Sequence, residues 1–427
     1  MVGPAPRPRR RARGGRGPAD PARPRLGPRS RAALLASLLV GAATIAGACS
    51  DDAAGRPPPL TPPRDAGGEA PEASRDAGSP VVDAGRDAED LGPLTLTVFP
   101  RVGDPTDDPT PPKGPGFVLA GGPDVDAAFV WAHDTITGSK TARGGDVVVL
   151  RASGGSGYDA YIDGLAPWRS VQTLLLPGAP TLADYAYAAK VVAAAEMVWF
   201  AGGDQAQYVR WKGSALMKAV AGVHARGGVV GGTSAGAMIQ GAFTFDALNA
   251  ISESVTSAVA LADPFDPKIS LTKRVIDYPP AAGLGDVLVD VHFQQRGRLG
   301  RLSAFLARAL HDSMADRSPP RALGIGVDEG VAVLVDASRR ATITRDAPTA
   351  DAAFFVRTGP AARVVKGQTL HVVGATVTRL DALDQSFDLD AWCGTGPTYT
   401  VDVDGAASPP YAPTPPYSVS APPGACP

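Results

Sequence analysis

The feature that most constrains this chain is a series of short apolar runs, most of which end in glycine: GFVLAGG (116–122), DVVVLRASGG (146–155), TLLLPG (173–178), MVWFAGG (197–203) and GGVVGGTSAG (227–236). Continuous β-branched runs without polar alternation suit strands covered on both faces, as in parallel sheets. Between them lie Ala-rich stretches with helical spacing, at 180–196 and 205–227. This alternation predicts an α/β fold with a doubly wound, mostly parallel sheet. Ligands in such a sheet sit at the carboxyl ends of the strands, where these glycines fall. A second pair of strands is expected in ALGIGVDEGVAVLVD (322–336). Beyond 340, ATITRD, AAFFVR and TLHVVGATVTRL predict a C-terminal β-rich extension on the same core.

The chain has 427 residues, 44% of them apolar, enough for a sizeable core. Ten of its 41 Lys and Arg, but only one of its 43 Asp and Glu, lie in residues 1–48. From residue 49 onward the net charge is therefore near −11, which argues against a nucleic-acid partner. The basic leader precedes the apolar run AALLASLLVGAATIAGAC (32–49). That pattern predicts a signal peptide over 1–48, with Cys49 as the lipidated residue of a bacterial lipobox. The expected location is outside the cytoplasm, anchored to a bacterial membrane. Residues 49–95, rich in Pro, Ala, Gly and Asp, read as a disordered linker. A catalytic domain is expected over 96–388, followed by a Pro-rich tail over 389–427. In an exported protein the tail cysteines, Cys393 and Cys426, could pair.

Gly232-Thr233-Ser234-Ala235-Gly236 fits G-x-S-x-G between an apolar strand and a helix start, the setting of a nucleophile elbow. A serine needs a base. Of the five histidines, His292 stands out, because it ends the Val/Leu-rich run DVLVDV and is followed by Arg296, Arg298 and Arg301. A base beside arginines suits an acidic or carboxylate-bearing substrate. The third member of a triad should be a carboxylate that orients the imidazole. GIGVDEG (324–330) offers Asp328 and Glu329 at a strand end. Neither H-E-x-x-H nor C-x-x-C occurs, so no metal or cofactor is expected.

FAGGDQ (200–205), GGTSAGA (231–237), GLGDVLVDVHFQQRGRLGRL (283–302) and GIGVDEG together resemble the cyanophycinase family of serine peptidases, which is related to dipeptidase E. The resemblance implies a class I glutamine amidotransferase-like, flavodoxin-like three-layer fold. It makes Ser234 the nucleophile, His292 the base and Glu329 the acid. It puts an oxyanion hole at the backbone amides of Gly203, Asp204 and Ala235. Gln205, Asp290, Arg296, Arg298 and Arg301 match positions that shape the family's substrate pocket. Val291 replaces the family's polar residue at that position, which bears on which substrate is accepted. The expected reaction is hydrolysis of an amide in a peptide, with an Asp/Arg-containing, cyanophycin-like peptide as one candidate. The expected partners are a peptide or small amide, the membrane through Cys49, and a second copy in a homodimer. The alternatives are an esterase or amidase acting on a small exported substrate, and a surface binding protein on the same scaffold.

Overall fold

The computed structural model describes residues 91–250, 255–316, 320–359 and 361–426. The leader, Cys49 and all of the expected linker before residue 91 lie outside the described residues. No described helix is long and apolar enough to cross a membrane.

The glycine-ended runs become one block of parallel strands in the order Ser170–Leu175, Asp146–Arg151, Met197–Phe200, Val229–Thr233 and Gly116–Ala120. Successive side chains point to opposite faces, as the period of a strand requires. Phe117 and Leu119 join one buried cluster, Val118 and Ala120 another. Helices Leu182–Ala193 and Ala215–Ala225 cover the first face, and Asp126–Thr137 and Gly157–Asp163 the second. Thr181 and Asp184 start the helix Leu182–Ala193 with a reciprocal capping box. The helical stretch at 205–227 is divided into Gln205–Arg210 and Ala215–Ala225. Gly213 lies at φ 80°, and the Ser214 hydroxyl caps the second helix by accepting the Met217 amide.

The fold is mixed α/β, but it is not one doubly wound sheet. Ala332–Val335 extends the first sheet, antiparallel to Gly116–Ala120. Leu323–Val327 belongs to a second sheet, so the two strands expected at 322–336 do not pair with each other. That sheet runs Tyr411–Ala412, Thr398–Asp404, His371–Leu380, Ala353–Arg357, Leu323–Val327, Val287–Val291, Phe243–Phe245 and Leu271–Lys273. Among these, only the pairings of Val287–Val291 with its two neighbours are parallel. Asp328-Glu329-Gly330 carries the chain from one sheet to the other. An apolar run shows that a strand is covered, but it does not show which strand lies beside it.

The two expected boundaries of the folded domain both move outward. Thr95, within the expected linker, donates its amide and hydroxyl to the Asp184 carboxylate. Residues 389–426 are not a loose tail. Thr398–Asp404 is a full strand against His371–Leu380, and Cys393 is joined to Cys426. Tyr417 stacks edge-on against Phe293 and Phe354. The prolines that suggested a tail are spaced widely enough for VDV (401–403) to keep its alternation, with both valines buried.

Candidate active site

Ser234 follows Val229–Thr233 with φ 51° and ψ −116°, a left-handed conformation that costs a residue with a Cβ about 1–3 kcal/mol. The turn tolerates this because its neighbours leave no other course. A Cβ on Gly232 would lie 2.5 Å from the Gly236 carbonyl carbon, and one on Gly236 would lie 2.1 Å from the Phe200 oxygen. The backbone therefore packs on backbone, and the hydroxyl is pushed out beyond the strand end.

His292 directly follows Val287–Val291 and also has positive φ, at 48°. Its strand lies parallel and in register with Leu323–Val327, so Val291 sits beside Val327. The next residues of the two strands, His292 and the Asp328-Glu329 pair, consequently emerge side by side. The Ser234 hydroxyl lies 2.8 Å from His292 Nε2, and His292 Nδ1 lies 2.6 Å from Glu329 Oε1. Of the two candidate acids, Glu329 reaches the imidazole. Asp328 is fully buried and accepts the amides of Gln294 at 2.7 Å and Ala352 at 2.9 Å. It thereby ties the histidine turn to the acid turn.

One short segment holds all three turns together. The Ala120 carbonyl accepts the Ser234 amide, that of Gly121 the His292 amide, and that of Gly122 the Gly330 amide. A Cβ on Gly121 would lie 2.0 Å from the Asp328 oxygen, and one on Gly122 2.6 Å from His292 Cε1. Sequence reasoning gave these glycines no individual role. The available signal was that GFVLAGG ends in two glycines at the ligand-binding edge of the sheet.

Ser234 and His292 open onto a cavity of about 540 Å³. Gly203, Asp204, Gln205 and Ala235 also line it. The Gly202–Gly203 turn passes close to the serine, since a Cβ on Gly202 would lie 3.6 Å from Ser234 Cβ. Asp204 uses its side chain to cap Gln205–Arg210 by accepting the Ala206 amide. The Gln205 side-chain amide donates to the Phe245 carbonyl at 3.4 Å.

The three sequence-selected arginines line the cavity in different ways. Arg296 is half-exposed and lies 3.9 Å from Glu329 Oε1. Arg298 and Arg301 are buried. Arg301 Nε donates to Asp290 Oδ2 at 2.8 Å, Arg298 lies 3.5 Å from Asp290, and Arg298 also donates to the Val291 carbonyl at 2.7 Å. Asp290 therefore departs from the pocket role that the resemblance implied. It has no exposed surface and is absent from the cavity lining, because both of its oxygens face the arginines. Arg210, at the end of the helix Gln205–Arg210, also lines the cavity and was not singled out from the sequence.

Burial, reinforced by the positive charge of Arg296, holds the His292 pKa below its ordinary value, while the hydrogen bond to Glu329 opposes the shift. A neutral imidazole with its proton on Nδ1 is the form that can accept the serine proton at Nε2. Burial alone would raise the Asp290 pKa, but Arg301 and Arg298 outweigh it and hold the carboxylate ionised. Burial pushes Asp328 up to about 6, only partly offset by its two amide donors. The other histidines lie elsewhere. His133 is buried within its helix, His224 stacks on Phe117 at 4.2 Å, and His311 pairs with Asp312. His371 sits in the β extension.

No family model and no curated protein matches the sequence. Among solved structures, the chain is similar to the crystal structure of a peptidase from an acI-B1 Actinobacterium. The identity is 14% and the TM-score 0.37, covering 65% of this chain and 98% of that one. It is also similar to a protein provisionally described as a peptidase E from Listeria monocytogenes EGD-e. Here the identity is 12% and the TM-score 0.34, covering 55% of this chain and all of that one.

Proposed function

We propose that this protein is a serine hydrolase that cleaves amide bonds through Ser234, His292 and Glu329, as a peptidase of the cyanophycinase type. The observation that carries the reading is the unbroken contact from the Ser234 hydroxyl through His292 to Glu329, with the serine held at positive φ on a strand-to-helix turn. Ser234 Oγ attacks the substrate carbonyl while its proton passes to His292 Nε2, and Glu329 stabilises the resulting imidazolium. The backbone amides of Ala235 and of the Gly203–Asp204 turn are the candidate donors to the oxyanion. Each such donor is worth roughly 10²–10³ in rate. His292 then gives the proton to the leaving amine, and water releases the acyl group by the reverse sequence.

Arg210 and Arg296 on the cavity wall favour a substrate bearing carboxylate, which fits an acidic peptide or an Asp/Arg-containing peptide. Gln205 and Gln207 are neutral polar groups on that wall, and Val291 contributes an apolar surface beside His292. The reading includes export and lipid anchoring through Cys49, which rest on the leader sequence alone. Metabolic labelling with a fatty-acid probe tests the anchor, which requires the label to vanish in Cys49→Ala.

The catalytic reading is tested by intact-mass spectrometry of the folded protein after exposure to a fluorophosphonate. A single adduct that is absent in Ser234→Ala is the expected result. No adduct on folded protein would leave a binding protein on a hydrolase scaffold as the better description.

A further inference from the structure

The helix that follows the nucleophile is only four residues long, Ala235–Met238. In so short a helix every carbonyl falls in the last turn and needs partners that the helix cannot supply in full. The Ser234 carbonyl accepts the Ala237 and Met238 amides. The Gly236 carbonyl is met by a side chain: Gln240 Nε2 donates to it at 2.8 Å. Gln240 has no exposed surface. Its other end is also engaged, because the Tyr278 hydroxyl donates to Gln240 Oε1 at 2.6 Å. The Tyr278 ring packs edge-on against Phe117, in the strand whose end holds the three catalytic turns. The Gly236 carbonyl fixes the orientation of this buried amide, because reversing it would set Gln240 Oε1 against that carbonyl, acceptor against acceptor.

We propose that Gln240 is a positioning residue for the nucleophile, with Tyr278 fixing its amide. The proposal rests on the serine-hydrolase reading above. Gln240 clamps the turn Ser234-Ala235-Gly236 at the Gly236 carbonyl. The Ala120 carbonyl clamps its start at the Ser234 amide. Between the two clamps, the strained serine keeps its hydroxyl on His292 and the Ala235 amide stays aimed at the cavity. Gln240 itself touches neither the cavity nor His292. It acts only through the turn, and no change in substrate affinity follows from its loss.

The test compares the parent with Gln240→Met and Tyr278→Phe by three measurements. These are the second-order rate of fluorophosphonate capture, kcat and KM for p-nitrophenyl acetate, and the melting temperature. Gln240→Met removes the donor to Gly236 at nearly constant volume. Capture and kcat should fall roughly 10–100-fold in molecules that are still folded, with KM unchanged. Tyr278→Phe leaves the Gln240 donor in place but removes the anchor at its Oε1 end, so it should lower capture less, at a melting temperature close to the parent's. A purely structural role would lower the melting temperature and leave capture by folded molecules unchanged, and that result overturns the proposal. If Gln240→Met does not fold, Tyr278→Phe decides alone: slower capture supports the clamp, and parental capture overturns it. If the parent captures no fluorophosphonate, the hydrolase reading fails and the clamp falls with it. A labelled parent with equally labelled variants removes the clamp only.

Discussion

Two residues of the site carry separable roles. Arg296 is close enough to Glu329 to be read as a partner of the acid, yet its effect on His292 is to disfavour the charged imidazole. A base with a lowered pKa remains neutral, and therefore active, further into acid. Arg296→Gln removes part of that effect, so the acid limb of the kcat/KM profile should move to higher pH, measured with any substrate the parent accepts. An unmoved limb would assign Arg296 to substrate binding alone. Gly122 tests the geometry from the other side. At φ 93°, and with its missing Cβ 2.6 Å from His292 Cε1, Gly122→Ala should displace the imidazole and slow fluorophosphonate capture by roughly 100-fold. The same methyl placed at Gly121 meets the Asp328 backbone, so there the expected loss is of folding.

At the scale of elements, the site depends on strands from two sheets ending at the same place. The serine strand Val229–Thr233 lies beside Gly116–Ala120 in one sheet, and the histidine and acid strands lie beside each other in the other. The chain crosses between sheets at Asp328-Glu329-Gly330, which lets Glu329 face His292. The C-terminal segment supports this arrangement from a distance. Thr398–Asp404 covers the edge of His371–Leu380, and the Tyr417 hydroxyl accepts the amide of Leu299, at the start of the helix that carries Arg301. A chain ending at residue 388 should expose that edge and aggregate or melt well below the parent, as light scattering and calorimetry would show. Reducing the Cys393–Cys426 bridge should have a milder effect. It spans 33 residues, and releasing a loop of that length costs about 3–4 kcal/mol in the chain-entropy picture, read as a lower melting temperature in dithiothreitol.

For the molecule as a whole, buried carboxylates shape the response to pH. Burial pushes Glu196 up to about 7, and the neighbouring charges of Asp146 and Asp108 add to the shift, while Arg226 and the Asp146 amide oppose it. Asp328 is raised in the same direction, to about 6. Both groups hold their protons more tightly when folded than when unfolded. Stability from this source is therefore full below the unfolded carboxylate range near pH 4, declines as pH rises towards 6–7, and is flat beyond. Glu196→Gln keeps an acceptor for the Asp146 amide but cannot ionise. It should flatten the fall in melting temperature between pH 5 and 8, and a variant that follows the parental curve would assign the fall to other groups.

The sequence by itself determined the strands and their glycine ends, because covered parallel strands need continuous apolar runs and only small residues fit where turns crowd a strand end. It also determined the chemistry available: one serine in a G-x-S-x-G turn, one histidine at a strand end, and two adjacent acids. Both of these are local properties of the chain. The tertiary structure decided what depends on distant neighbours. It divided the strands between two sheets and made 398–404 a strand of the folded domain. It turned Asp290 inward onto two arginines, and it brought Glu329 rather than Asp328 to His292. Two adjacent residues at a strand end point in opposite directions, so which one meets the imidazole is fixed by the neighbouring strand's register, and no pattern along 324–330 contains it.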